Sequence, residues 1–493
     1  MKLDAKRFIG GETLDTDICI VGAGPAGLVI ASELVDRHCD VIILESGGNR
    51  AEPEILALNV GDTTGDIYAG LGATRHRQVG GTAQLWNSAA NAVIGAKYSP
   101  LSAEDFRVRP AADYCGWPFE LLELQSDYER AQRICRLGPF AYEGAAWAQP
   151  GRNPWSDVGP DLVSRVYQCG DRDALLVPLR AAIAGATNVR LYFHATAISF
   201  EATAAGRRLS AIHVGAPGGA RWTVRAKRIV FAAGAVENAR LLLLLNESLG
   251  RTKDGAEWVG RGFMEHPRDR AITLRPRSPD TLARSAFYDL HLGANETWII
   301  GRLAMADEAL ASGELLNASA TIFPRPNEAA PWWRRWLTKG GHGWSTRRQS
   351  AGQFDGFDVL LNVEQSPHPD NRITLSAKRD SLGVARVELH WRWRPEDQAR
   401  LQRVRELIAK NLEGIGTSTI DVHARPDPNA HHHAGTTRMH DDPRRGVADR
   451  NGRVHSTENL YVAGASAFPT AGFANPVLTI VAMALRLARH LQG

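Results

Sequence analysis

Residues 17–45 read Asp-Ile-Cys-Ile-Val, then Gly-Ala-Gly-Pro-Ala-Gly, then a run of mostly small and apolar residues, then Asp-Val-Ile-Ile-Leu-Glu. This order leaves the chain little freedom. An apolar run before a glycine turn reads as a buried strand, the stretch to about Arg37 as a helix, and residues 40–45 as a second buried strand. Gly22 permits the tight turn, Gly24 lets the main chain approach a pyrophosphate, and Gly27 allows close packing of helix on strand. With Pro25 and Ala26 between them, the helix N-terminus supplies backbone N–H groups to the phosphates. Glu45 closes the second strand about twenty residues on, followed by Ser46, where a carboxylate accepts hydrogen bonds from the ribose hydroxyls of an adenosine. The unit therefore predicts an α/β fold that binds a dinucleotide. Alone it does not separate FAD from NAD.

A chain of 493 residues is long enough for two or three domains. A net charge of +4, with basic residues spread along the sequence, gives no footprint for nucleic acid. The five cysteines, Cys19, Cys39, Cys115, Cys135 and Cys169, show no CxxC spacing, so we expect reduced thiols and a cytoplasmic setting. The first residues lack an apolar leader core, and no run of about 18 apolar residues suggests a transmembrane segment.

Two C-terminal strings carry the chemistry: Ala-His-His-His-Ala-Gly-Thr-Thr-Arg-Met at 430–439 and Ala-Gly-Ala-Ser-Ala-Phe-Pro-Thr-Ala-Gly-Phe-Ala-Asn-Pro at 463–476. If the first is extended, side chains alternate, so His431 and His433 point one way and His432 the other. Adjacent histidines then do not converge on one ion, and no carboxylate or cysteine lies at ligand spacing in the sequence, so we expect no metal. A general base is the better reading, since imidazole titrates near neutrality.

These strings resemble the C-terminal signature of the glucose-methanol-choline (GMC) flavoprotein oxidoreductases. In that family one His of an H-x-x-G-T pattern and one Asn or His of the later turn face the reactive edge of FAD. The matching positions are His432, three residues before Gly435, and Asn475. Other segments share the resemblance: Arg225 to Gly234 leading into an apolar helix, Val-Gly-Arg-Gly-Phe-Met-Glu-His-Pro at 259–267, Glu364-Gln365, and Pro369 to Leu375. Arg107 to Pro110 with Gly116 to Phe119 is similar to a segment of the sugar-oxidising branch, without chemistry derivable from the residues. The turn Gly80-Gly81-Thr82 leading to Trp86 and Asn87 would bring backbone N–H groups against a phosphate or the flavin ring. Further cofactor contacts are implied at Ala197, Ala233, Gly234, Gly464, Ala465 and Pro476. In several family members a His is covalently attached to FAD, and Leu85 stands at that position here. The resemblance therefore implies noncovalent FAD.

The fold it implies is an α/β protein: a Rossmann-like FAD-binding domain from 1–100, 186–268 and 426–493, a substrate or lid segment from 101–185, and an α+β substrate domain from 269–425 on a mixed or antiparallel sheet. The activity implied is oxidation of a secondary alcohol of a sugar or glycoside to a ketone. His432 takes the hydroxyl proton while hydride goes to the flavin, and oxygen, a quinone or a protein accepts the electrons. Oxidation of a primary alcohol of an amino sugar, and a non-redox lyase that merely retains FAD, are the alternatives. The Trp- and Arg-rich stretch 331–348 reads equally as a membrane or partner contact, a lid, or a partly buried helix. Because Leu85 replaces the attachment residue, acid precipitation of the yellow protein should leave all of the FAD in the supernatant, as measured by its absorbance.

Overall fold

The structure, a computed structural model, describes the chain apart from residues 87–94, 110–113, 251–256, 278, 312–313, 328, 330, 334–343, 347–353, 423–425 and 428–429. Its first sheet runs in the order Lys2–Asp4, Val189–Phe193, Val41–Leu44, Thr13–Val21, Arg221–Phe231, Leu209–Gly215, Thr196–Ala202. Arg221–Phe231 changes partner along its length. Its first half pairs antiparallel with Leu209–Gly215, and its last three residues pair parallel with Leu460–Val462. The parallel register sets Leu44 beside Val21, Val21 beside Phe231, and Phe231 beside Val462. Four strands thus end in line, and Glu45, Gly22, Ala232 and Ala463 leave the sheet together.

The strands of this sheet are apolar because helices cover them. Val41–Leu44 is buried at every position, and Pro25–Glu33 is buried from Ala26 through Ala31. The helix Val477–Gln492 packs against both Pro25–Glu33 and Leu121–Ile134, so the C-terminus closes the layer.

A second sheet is antiparallel throughout, in the order Thr417–Val422, Arg268–Pro276, Phe354–Val363, Ala318–Pro326, Trp298–Met305, Leu162–Gly170, Ala96–Tyr98. From Phe357 to Val363 buried and half-buried residues alternate, as expected of a strand with one face on the core. A three-stranded ribbon of Asp62–Gly65, Ala385–Trp391 and Arg372–Arg379 lies apart from both sheets. This is the α/β dinucleotide fold with an added antiparallel sheet that the sequence predicts.

Long-range polar contacts explain motifs that had no local logic. Arg109 donates two hydrogen bonds to Glu364, at 2.7 and 2.5 Å, and both side chains are buried. The pair ties two family-like strings, more than 250 residues apart in sequence, into one contact. Some local expectations change. The first helix stops at Glu33, short of Arg37, because the chain turns through Asp36 at a positive φ of 57°. The histidine run is no regular strand: His431 takes φ 59°, and only Ala434 bridges to Met264. Within the Trp-rich stretch Trp332 and Trp333 are exposed, while Trp336, Arg347 and Arg348 lie outside the described residues.

A Cβ on Gly27 would sit 2.0 Å from the Gly22 carbonyl oxygen, whereas one on Gly24 meets nothing within 4 Å. Gly27→Ala should therefore lower the unfolding free energy by about 3 kcal/mol, the upper end of overpacking costs. Gly24→Ala should change it by less than about 1 kcal/mol. Urea denaturation of the cofactor-free proteins checks the difference.

Candidate active site

A cavity of about 520 Å³ opens at the aligned strand ends. Of the residues expected to hold a cofactor, Gly22, Gly24, Pro25, Ala26, Glu45 and Ser46 line it, as do Gly81, Thr82, Trp86, Ala197, Ala233, Gly234, Gly464, Ala465, Asn475 and Pro476. Three do not. Gly27 is packed beneath the turn, and Gly80 donates its N–H to the Ala23 carbonyl in a left-handed conformation. Leu85, expected against the flavin, instead stands 42% exposed, because the short helix Gly81–Leu85 turns Trp86 to the cavity in its place. Asn87 lies outside the described residues.

Three helices begin at this cavity without a side-chain cap: Pro25–Glu33 after Gly24, Ala235–Ser248 after Gly234, and Val477–Gln492 after Pro476. Their first-turn N–H groups offer partial positive charge and open donors to an anionic or electron-rich ligand. Glu45 holds the backbone N–H groups of Ala23 and Gly47, each at 2.9 Å, and burial raises its carboxyl above the ordinary range. Its oxygens keep lone pairs for ribose hydroxyls. Beside it Arg77 donates to Ser46 and Asn59. Burial alone would raise Glu237, but the guanidinium groups of Arg77, Arg75 and Arg240 outweigh it and hold that carboxyl well below its usual range. Uncapped helix ends, small residues and a fixed carboxylate fit a dinucleotide.

At the other end the His432 ring lies between two partners. Its Nδ1 is 3.0 Å from His266 Nδ1, and its Nε2 is 3.3 Å from Asn475 Nδ2. The far nitrogen of His266, Nε2, is 3.2 Å from the Ala471 carbonyl oxygen. A carbonyl can only accept, so His266 carries its proton on Nε2 and offers a lone pair at Nδ1. His432 must then donate from Nδ1. Its Nε2 is left as the acceptor, directed at the Asn475 amide. Burial, followed by the neighbouring His266, holds the His432 imidazole well below its usual value, and burial brings His266 to about 4. Both rings are neutral at pH 7, and His432 is poised to take a proton.

Behind His432 lies a group invisible in the sequence reading. Glu265, fully buried, accepts the backbone N–H of His432 at 3.0 Å and that of His266 at 3.2 Å, and Tyr68 donates its hydroxyl to the same carboxyl. His433 Nε2 is 2.9 Å from the Tyr68 oxygen. Burial raises Glu265 to about 7. From the sequence, no carboxylate near the histidines and no convergence of His431 with His433 are expected, and neither expectation holds. The pair does lie on one side, although the run is no regular strand, and a ligating atom from each and one from Glu265 lie within 4.8 Å of one another. The chain fold, not sequence spacing, supplies the carboxylate. His433 Nε2 is engaged with Tyr68, so the group as folded is a hydrogen-bonded cluster.

His266, Glu265 and Tyr68 carried no role in the sequence reading. A signal was present for the first two: a carboxylate and an imidazole adjacent within the otherwise apolar Phe-Met-Glu-His-Pro string. From the second sheet Arg268, Thr321, Leu360, Asn362 and Lys97 complete the wall.

Residues 367–484 match the family model described as GMC oxidoreductase, and residues 20–50 match that of an NAD(P)-binding Rossmann-like domain. Over 98% of this chain and 93% of its own length, paromamine 6'-oxidase of Streptomyces fradiae is 26% identical. Fructose dehydrogenase large subunit of Gluconobacter japonicus is 24% identical over 97% of this chain and 98% of its own. Among solved structures, pyridoxine 4-oxidase from "Mesorbium loti" superposes with a TM-score of 0.54 at 18% identity, covering 96% of this chain and 98% of that one.

His266 and His433, held at about 4 and about 3 by burial, stay neutral in the folded protein while free imidazoles protonate below about 6.5. The stability they contribute is complete above that value and is lost as the pH falls toward 4, at roughly 1.4 kcal/mol per unit and group. Glu265 acts in the opposite sense, its contribution being lost as the pH rises from 4.5 through about 7. Comparing His266→Phe with the unaltered chain isolates one group. The stability lost between pH 7 and pH 5, from urea midpoints, should be smaller in the variant by about 2 kcal/mol.

Proposed function

We propose that the chain, whose residues 367–484 match the GMC oxidoreductase model, is an FAD-dependent alcohol oxidoreductase that converts a secondary hydroxyl of a sugar or glycoside to a ketone, with FAD held noncovalently. The observation that carries this reading is the His432–Asn475 pair. A neutral imidazole whose Nε2 lone pair faces an amide donor at 3.3 Å lines the cavity, and Asn475 lines it too. An alcohol oxygen that replaces this direct contact would give its proton to His432 Nε2 and accept from Asn475 Nδ2.

Bound FAD supplies the two-electron acceptor that alcohol oxidation requires. The protein's contribution is proton control and alignment. Loss of hydride from carbon is easier as negative charge develops on oxygen, so a base within hydrogen-bond reach and a donor beside it both lower the barrier. His266 fixes the tautomer that leaves His432 Nε2 unprotonated, and Glu265 anchors the backbone of the same residue. The uncapped N-terminus at Pro476 would favour electron-rich character in a flavin ring held beside it.

The full-length similarity to paromamine 6'-oxidase supports a second reading, oxidation of a primary hydroxyl of an amino sugar. The same pair of groups serves either hydroxyl, and product analysis separates ketone from aldehyde. Under anaerobic stopped-flow with a reducing glycoside, His432→Ala should slow flavin bleaching by about a hundred- to ten-thousandfold. Asn475→Ala should slow it less, and His431→Ala least. Bleaching of His432→Ala at the unaltered rate overturns the assignment of the base.

A further inference from the structure

The catalytic cavity is charged unevenly. Its lining carboxylates, Glu45, Glu237 and Asp380, all belong to the dinucleotide end, where Glu45 binds backbone amides and the other two bind Arg240 or its neighbours. The wall supplied by the second sheet carries cations instead. Lys97, on the strand Ala96–Tyr98, pairs opposite Cys169, so it shares a face with Tyr167, two residues away along the neighbouring strand. Its Nζ lies 6.0 Å from the Tyr167 ring centroid, and Tyr167 packs on its other contacts against the buried Arg302 guanidinium, 3.9 Å from the same centroid. Asn362 donates to the Tyr167 hydroxyl at 3.5 Å and stands opposite Arg268 in register. Arg268 pairs with Asp427 at 3.2 Å. Lys97 has no ion-pair partner among the described residues, although it is half-buried and lines the cavity that holds His432 and Asn475.

A half-buried ammonium without a counter-charge, directed into a substrate cavity, is a site for an anion. We propose that the substrate is a glycoside bearing an anionic group, a carboxylate or a phosphate ester, which pairs with Lys97 while Asn362 and Thr321 hydrogen-bond its hydroxyls. The inference rests on the alcohol-oxidation reading and narrows its substrate class. Asn362 and Thr321 each present donors and acceptors, which suits sugar hydroxyls, whereas Lys97 presents donors and positive charge only. The same charge works against a polyamine glycoside, whose protonated amines would meet Lys97, while the lining carboxylates lie at the dinucleotide end. Oxidation of the hydroxyl leaves the anionic group untouched, so it serves in recognition and takes no part in the redox change.

The test uses the full-length FAD-loaded enzyme, mixed anaerobically with methyl glucoside, methyl glucuronide, glucose 6-phosphate or methyl glucosaminide while flavin absorbance is followed. The expected result is a lower half-saturating concentration for one anionic probe than for the neutral one, and the poorest response from the amine. Whether glucuronide or phosphate shows the gain identifies the group. Lys97→Met should reduce the anionic-to-neutral preference by about ten- to a hundredfold, the scale of one charge-assisted hydrogen bond, and Lys97→Arg should retain most of it. A preference unchanged in Lys97→Met overturns the proposal. So does an equal fall in reduction rate with every probe, since Lys97 would then serve the cofactor. Bleaching by the neutral glycoside but neither anion overturns the charge assignment alone. If no probe of any charge bleaches the flavin, the sugar-oxidation reading fails and this inference fails with it.

Discussion

The parallel pairing of Arg221–Phe231 with Thr13–Val21 on one side and Leu460–Val462 on the other is the constraint on which the molecule depends. Segments more than two hundred residues apart are forced to end at one level. Each then delivers a different part of one site: the glycine turn, the Ala-Ala-Gly entry to a helix, and the loop that ends in Asn475. Parallel strands cannot be joined by tight hairpins, so the intervening chain must travel, and here it builds the second sheet on its way. The second-sheet wall of the cavity and the strand-end cleft follow from one topological requirement.

Within that frame the chemistry is set by an atom with no choice. The Ala471 carbonyl can only accept, and this fixes the proton on His266, then the proton on His432, and hence the nitrogen left free. Burial secures the outcome by keeping both imidazoles neutral at ordinary pH. Glu265 is kept apart from this relay. It binds main-chain N–H groups of both histidines and the Tyr68 hydroxyl, so a proton gained or lost there near pH 7 leaves the tautomer of His432 unchanged.

Much of this was legible in the amino-acid order because it is local. The spacing of Gly22, Gly24 and Gly27 and the distance to Glu45 are short-range patterns with short-range causes. The family-like strings added Asn475, which lines the same cavity. What stayed hidden depends on contacts across the chain. Tyr68 meets Glu265 across nearly two hundred residues, and Arg109 meets Glu364 across a longer interval. No periodicity encodes such meetings. Leu85 shows the converse, a position named by motif alignment whose side chain faces largely outward once the local helix is formed.

The run from Met264 to Arg268 joins two fixed points. Met264 is bridged to Ala434 at one end, and at the other Arg268 enters the second sheet opposite Asn362 and Asp427. Between them Glu265 and His266 must face His432. Insertion or deletion of a single residue would rotate His266 away from His432 while leaving both sheets able to form. The two anchors therefore fix the length of this stretch as firmly as the contacts of Glu265 and His266 fix its residues.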